Sequence, residues 1–407
     1  MEAGPGEPVH PGRYQTDDGR LFLRASCHAC PPSAICEPSG LGGGYTVVAA
    51  HLLAAYSDND RAGGSVAGQS IDLLFTGAIF CDLVFAGVTN PEAGTEVYAD
   101  GFAISPGGAA NPAVAAARLG RRTALLSELG DDLLGSTIRG SLAAEDKLDL
   151  TWIAERHGYQ TPVTAAMTGP HDRRFVTYAE DECNLDWPED APPVGAAHVS
   201  VDGNLRPWVR RLREQGTLIY GGVGWDESGL WSSGILDRLD QVDVFVPNDL
   251  EAMNYTRTGS AAEAARKLGD YVELAVVTRG RDGVTAYQRS TDELVEVPAV
   301  PTRAADPTGA GDVFVAAFMS TYDLDWDLHR RLRLANLCAA LSVQSLGGAV
   351  SAPTMADLRR YLADRVIADE ELIAEGLPHG DAFIRVDWQP GPEWQPILDW
   401  CERGTIE

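Results

Sequence analysis

Lysine is almost missing from this 407-residue chain: of its 32 basic residues, only Lys147 and Lys267 are lysines. That scarcity excludes two common ways of holding a phosphate. A Walker loop needs a lysine directly after its last glycine and a protein kinase needs one on a strand, but Lys147 stands in Glu-Asp-Lys-Leu and Lys267 in Arg-Lys-Leu. Positive charge is scarce overall. Asp and Glu number 59, and a formal net charge of -27 argues against nucleic acid or an anionic membrane as partner. No apolar run approaches the ~20 residues of a membrane helix. The start, Met1-Glu2-Ala3-Gly4-Pro5, lacks the basic region of a secretory leader, so the expectation is a cytoplasmic protein. Cysteines are few, and Cys81, Cys183, Cys338 and Cys401 are scattered, which suggests reduced thiols rather than a disulfide framework.

What stands out instead is Asp306-Pro307-Thr308-Gly309-Ala310-Gly311-Asp312, followed by the apolar run Val313 to Met319. Gly309 and Gly311 allow a turn tight enough for successive N–H groups to face an anion, and a helix starting there adds its positive dipole end. Asp312 then lies where phosphate meets acceptor, and beside a helix N-terminus it is expected to stay ionised as a base. A plain strand-to-helix turn needs the glycines but has no use for two acids and a hydroxyl. Without lysine, the charge on a transferred phosphate would be neutralised by amides, arginine, metal or helix dipoles.

These seven residues resemble the second signature of the ribokinase-like (PfkB) carbohydrate kinases, usually Asp-Thr-Thr-Gly-Ala-Gly-Asp, with Pro307 replacing the first threonine. Gly107-Gly108-Ala109-Ala110-Asn111-Pro112-Ala113 matches the other signature, in the right order. The resemblance runs from about Ile71 to about Ala363, with weaker matches at Asp82, Gly130-Asp131-Asp132, Asn248 to Glu251, Thr278 to Gly280 and Asn336. It implies an α/β fold in which a central, mostly parallel sheet is covered by helices on both faces, with a small β lid. Alternation of strand-like and helix-like stretches agrees. Strands are expected at Ile71–Thr76, Thr123–Ser127, Thr217–Tyr220, Val242–Val246 and Leu274–Thr278, and helices at Pro112–Leu119, Ala261–Leu268, Asp312–Ser320 and Leu328–Ser342.

The kinase domain is expected over 71–366, with lid strands at about 87–106 and 161–180 and a C-terminal extension over 367–407. In relatives the lid often forms the dimer contact, so a homodimer through these strands is expected. Residues 1–70 differ in kind, being rich in Gly, Pro, Ser and Ala. They read as disordered, or as not normally made, since a GTG start at Val66 would leave a chain of family-like length. Cys27, His28, Cys30 and Cys36 raise a zinc site as the alternative, without the second paired motif such a site needs.

By resemblance, Asp312 is the base and Gly309, Ala310 and Gly311 form the anion hole, with ATP and Mg2+ as cofactors. Asp82, Gly107, Gly108 and Asn111 would contact the sugar, with a helix cap before Pro112 as the alternative for Asn111 and a loop acid at a strand end as the alternative for Asp82. Asn248, Thr278, Gly280 and Asn336 would contact the nucleotide, and Glu251 would organise Mg2+ through water. Asn248 and Glu251 could instead be an ordinary helix start, and Asn336 a satisfied core amide. Asp306 and Ser351 match positions that hold K+ in some relatives. Arg174 in the lid could reach phosphate or simply be exposed, and Trp225 and Asp226 could wall the pocket or merely pack their loop. The first signature lacks the lysine of some sugar-phosphate kinases, which favours a neutral sugar. The expected activity is ATP-dependent phosphorylation of a hydroxyl on a neutral monosaccharide or related polyol. The alternatives are a nucleoside kinase and a non-catalytic nucleotide- or sugar-binding regulator.

Overall fold

Ile71-Asp-Leu-Leu-Phe-Thr76 buries its leucines and Phe75 completely, and this strand, β1, stands inside the large sheet of the computed structural model. The structure describes residues 70–88, 94–168, 173–180, 183, 185–224, 226, 228–363 and 392–403. The zinc candidates Cys27, His28, Cys30 and Cys36, and Trp225, lie outside them, as do 1–69 and most of the chain beyond 363.

On one side of β1 lie β9 (Val194–Ser200), β10 (Leu218–Gly222), β11 (Val244–Phe245) and β12 (Leu274–Thr278), all parallel. On the other lies β4 (Thr123–Gly130), which pairs in parallel with β5 (Leu148–Asp149) and β6 (Ile153–Arg156). An antiparallel hairpin, β13 (Val284–Gln288) and β14 (Glu293–Val297), closes the far edge. Parallel strands need crossovers, and the helices that supply them cover both faces. One apolar cluster draws on α1 (Ala110–Arg118), α2 (Leu133–Leu142), α6 (Ala310–Met319), α7 (Leu328–Ser342) and α8, which includes residues 355–363. The other draws on α3 (Pro207–Glu214), α4 (Asp249–Thr256) and α5 (Ala261–Leu268).

A second sheet has the order β3 (Gly101–Gly108), β2 (Ile79–Ala86), β7 (Val163–Thr168), β8 (Arg173–Tyr178). Its composition corrects the expected lid. Residues 94–100 carry no strand, and β2, which the sequence runs on from β1 with only Gly77 and Ala78 between them, belongs to the lid. Gly77 has φ +140°, a conformation that lets the chain leave one sheet and enter the other within two residues. Side chains alternate across the lid: Asp82, Val84, Ser105 and Ala166 are buried on one face, while Phe102, Ile104, Val176 and Tyr178 are exposed on the other.

The boundary drawn at 366 leaves out a helix of the core. In α9 (Gln395–Arg403), Ile397, Trp400 and Cys401 join the same cluster as α7, and the Trp400 ring meets Trp326 edge to face at 5.9 Å.

Candidate active site

The N-terminus of α6 fixes the site. Gly309, with φ +74°, is its N-cap in the left-handed region, and a Cβ there would stand 2.9 Å from Cα of Gly348. No other residue type fits that approach. Ala310 N–H closes the turn onto Pro307 O at 3.3 Å. The amides of Gly311 and Asp312 follow it in the first turn, where a helix has no carbonyl of its own to offer them.

Asp312 projects from that turn and accepts a hydrogen bond from Asn111 Nδ2 on Oδ2, at 3.0 Å. Asn111 is therefore no helix cap. The cap position falls at Ala109, α1 starts at Ala110, and the buried Asn111 side chain reaches across to α6. Asp82 faces the same space from β2, packed against Gly107 so closely that any Cβ at 107 would collide with its carboxylate. Gly108, at φ +61°, turns the chain from β3 into α1.

Charge has accumulated here. Burial, reinforced by the Asp312 and Asp306 carboxylates, pushes Asp82 up to about 7. Burial likewise raises Asp312 to about 6, and the Asn111 hydrogen bond works in the opposite direction. Desolvation outweighs that hydrogen bond, so the net shift of Asp312 is upward.

Asp306 is fully buried and bridges two segments, its Oδ1 accepting from Thr308 N at 3.0 Å and its Oδ2 from Gly347 N at 3.1 Å. Ser351 donates to Gly348 O at 2.8 Å. Both cation candidates thus meet at Gly347-Gly348, the turn that closes behind Gly309 and Asn111. Sequence reasoning missed this pair; the signal was the Gly-Gly after the Leu328–Ser342 helix, and Gly347 has φ +93°.

Of the nucleotide candidates, Asn248 and Thr278 are joined by a parallel bridge at the carboxyl ends of β11 and β12, where open α/β sheets bind ligands. Gly280, at φ +53°, begins the turn after β12. Asn248 and Glu251 form a capping box: Glu251 N donates to Asn248 Oδ1 at 2.9 Å and Asn248 N to Glu251 Oε2 at 2.8 Å. Burial pushes Glu251 up to about 7. Among the described residues no group of three or more His, Cys, Asp or Glu is arranged to hold a metal ion. Asn336 Nδ2 donates to Val297 O and Pro298 O, the contacts of a satisfied core amide beside β14.

Two suggestions fall to the loop and outer-face readings. Asp226 accepts from Ser228 N, Ser228 Oγ and Trp231 N, which folds its own loop. Arg174 pairs in register with Met167 and so lies on the lid face opposite Asp82.

A mostly parallel sheet with a β lid and an acid behind a glycine turn defines a phosphoryl-transfer scaffold. The model of the pfkB family carbohydrate kinases matches residues 71–355, and the chain belongs to that family. It is 28% identical over 312 residues to the ribokinase of Bacillus subtilis, covering 70% of this chain and 98% of that one. Solved structures show the same fold. An E. coli protein in complex with ATP and Mg2+ superposes with a TM-score of 0.61 at 21% identity, covering 73% of this chain and 100% of that one. The Burkholderia thailandensis nucleoside kinase in complex with inosine gives 0.58 at 20%, covering 71% and 96%.

Proposed function

We propose that this carbohydrate kinase transfers the γ-phosphoryl group of ATP to a hydroxyl of a neutral monosaccharide or related polyol, in the cytoplasm. The observation that carries the reading is Asp312: an acid in the first turn of α6, behind Gly309, held by Asn111 and facing Asp82. Asp82 and the Gly107-Gly108 backbone receive sugar hydroxyls, and Asp312 takes the proton of the attacking one. The Gly311 and Asp312 amides hold the transferring group, while the bond to the ADP oxygen breaks. Asn248, Thr278 and Gly280 border the nucleotide, with Asn336 behind them. Mg2+, when bound with ATP, neutralises phosphate charge, and Glu251 would organise it through water.

K+ has support of its own. Asp306 is a fully buried carboxylate, and among the described residues no basic side chain forms an ion pair with it. The exposed apolar outer face of the lid sheet supports a homodimer.

A coupled ADP-release screen over neutral sugars, sugar acids, sugar phosphates and nucleosides tests the reading. Turnover with a neutral sugar or polyol is expected. Turnover with nucleosides alone would replace it with the nucleoside kinase reading, and no turnover with any acceptor would leave a binding protein.

A further inference from the structure

Asn111 and Asp312 stand 201 residues apart in sequence and meet side chain to side chain. The amide can face the carboxylate only with its nitrogen, because turning it over would set Oδ1 against a second negative oxygen. Its own Oδ1 is buried with no hydrogen-bond partner and is pressed against Gly348, where any Cβ would lie 2.6 Å from it. Residue 111 is 4% exposed and rooted in α1, which packs along α6. Burial and the helix thus hold an amide whose one recorded hydrogen bond goes to the acid.

We propose that Asn111 is a positioning residue for phosphoryl transfer: by donating to Oδ2 it leaves Oδ1 of Asp312 to take the hydroxyl proton and keeps that carboxylate ionised. The inference rests on the reading of Asp312 as the base and assigns the Asn111 amide to that carboxylate in place of the sugar. The charged group facing Asp312 is Asp82 on β2, itself an acid, so it does not supply the stabilisation that Asn111 does. Desolvation raises the Asp312 pKa, and the Asn111 bond lowers it.

The test is the pH dependence of kcat between pH 5 and 9, with the sugar KM, for the wild type and for Asn111→Leu, which keeps the volume and removes the donor. A hydrogen bond to a charged group corresponds to about one pH unit, so the acid limb moves up by roughly that much and kcat near the limb falls on the order of tenfold. The sugar KM changes by less than about threefold, since uniform binding is not what is lost. Asn111→Ser, which is too short to reach Oδ2, gives the same shift and serves if the leucine variant does not fold. A sugar KM raised more than about tenfold with the acid limb unmoved would overturn the proposal and leave Asn111 a sugar ligand. Asp312→Asn in the same series separates the two readings. If it is inactive while the Asn111 limb stays put, only the positioning role fails; if it turns over normally, the base assignment fails and takes this role with it.

Discussion

Thr161 donates twice to Asp132, from its backbone N–H at 2.9 Å and from Oγ1 at 2.8 Å, while Asp132 caps α2 through Gly135 N at 2.7 Å. Thr161 lies two residues before β7, so one carboxylate ties a helix of the main domain to the root of the lid. Asp132→Ala removes the cap and strands the Thr161 donors, at a cost of about 2 to 3 kcal/mol. Thermal denaturation should show a clear drop in Tm; an unchanged Tm would mean the carboxylate holds nothing that water cannot.

Asp82 should make the enzyme less stable than it could be. Its folded-state pKa is raised, so between about pH 4 and 7 the native state binds more protons than the unfolded one, and stability falls as pH rises through that window. Asp82→Asn removes the charge, so its Tm at pH 8 should exceed that of the wild type, while the difference shrinks towards pH 4. Sugar use should fall far more than ATP binding. Equal loss of both, or a lower Tm at pH 8, would show Asp82 to be structural.

The two signatures and most main-sheet strands were legible because each is local: Gly309 advertises its left-handed turn, and runs such as Leu274–Thr278 are short and apolar. What was not legible depends on distant partners. Asn111 reads from sequence as a sugar contact or, before Pro112, as a helix cap, yet its side-chain partner lies 201 residues away and the helix begins earlier. Nothing in Ile79–Ala86 says that it leaves the sheet of β1, since Gly77 alone makes the switch. The raised Asp312 and Asp82 values come from burial, joined at Asp82 by neighbouring carboxylates, which only the fold creates. Asn248 and Glu251 realise their capping reading, which leaves their part in binding ATP to experiment.

The outer lid face predicts association between two copies. Phe102 is 56% exposed and Val176 64%, both on the lid face opposite Asp82. Sedimentation should show a dimer for the wild type, and Phe102→Asp with Val176→Lys should give monomers. A monomeric wild type at micromolar concentration would remove the lid contact.

Asp306 predicts a cation effect. Replacing Na+ by K+ at constant ionic strength should raise kcat, and Asp306→Asn should abolish the difference. An equal rate in both salts would mean that the Thr308 and Gly347 amides are all this carboxylate serves.

The central claim is that Asp312 takes the acceptor proton, and Asp312→Asn tests it most directly because it keeps the size and removes the base. The measurement is single-turnover phosphoryl transfer with saturating ATP and sugar, alongside calorimetric binding of each. General-base help is worth about 10²- to 10⁴-fold, so the rate should fall at least a hundredfold while both affinities stay within about threefold. A variant that retains more than roughly a tenth of the wild-type rate would contradict the account, since a lost base cannot be replaced so cheaply.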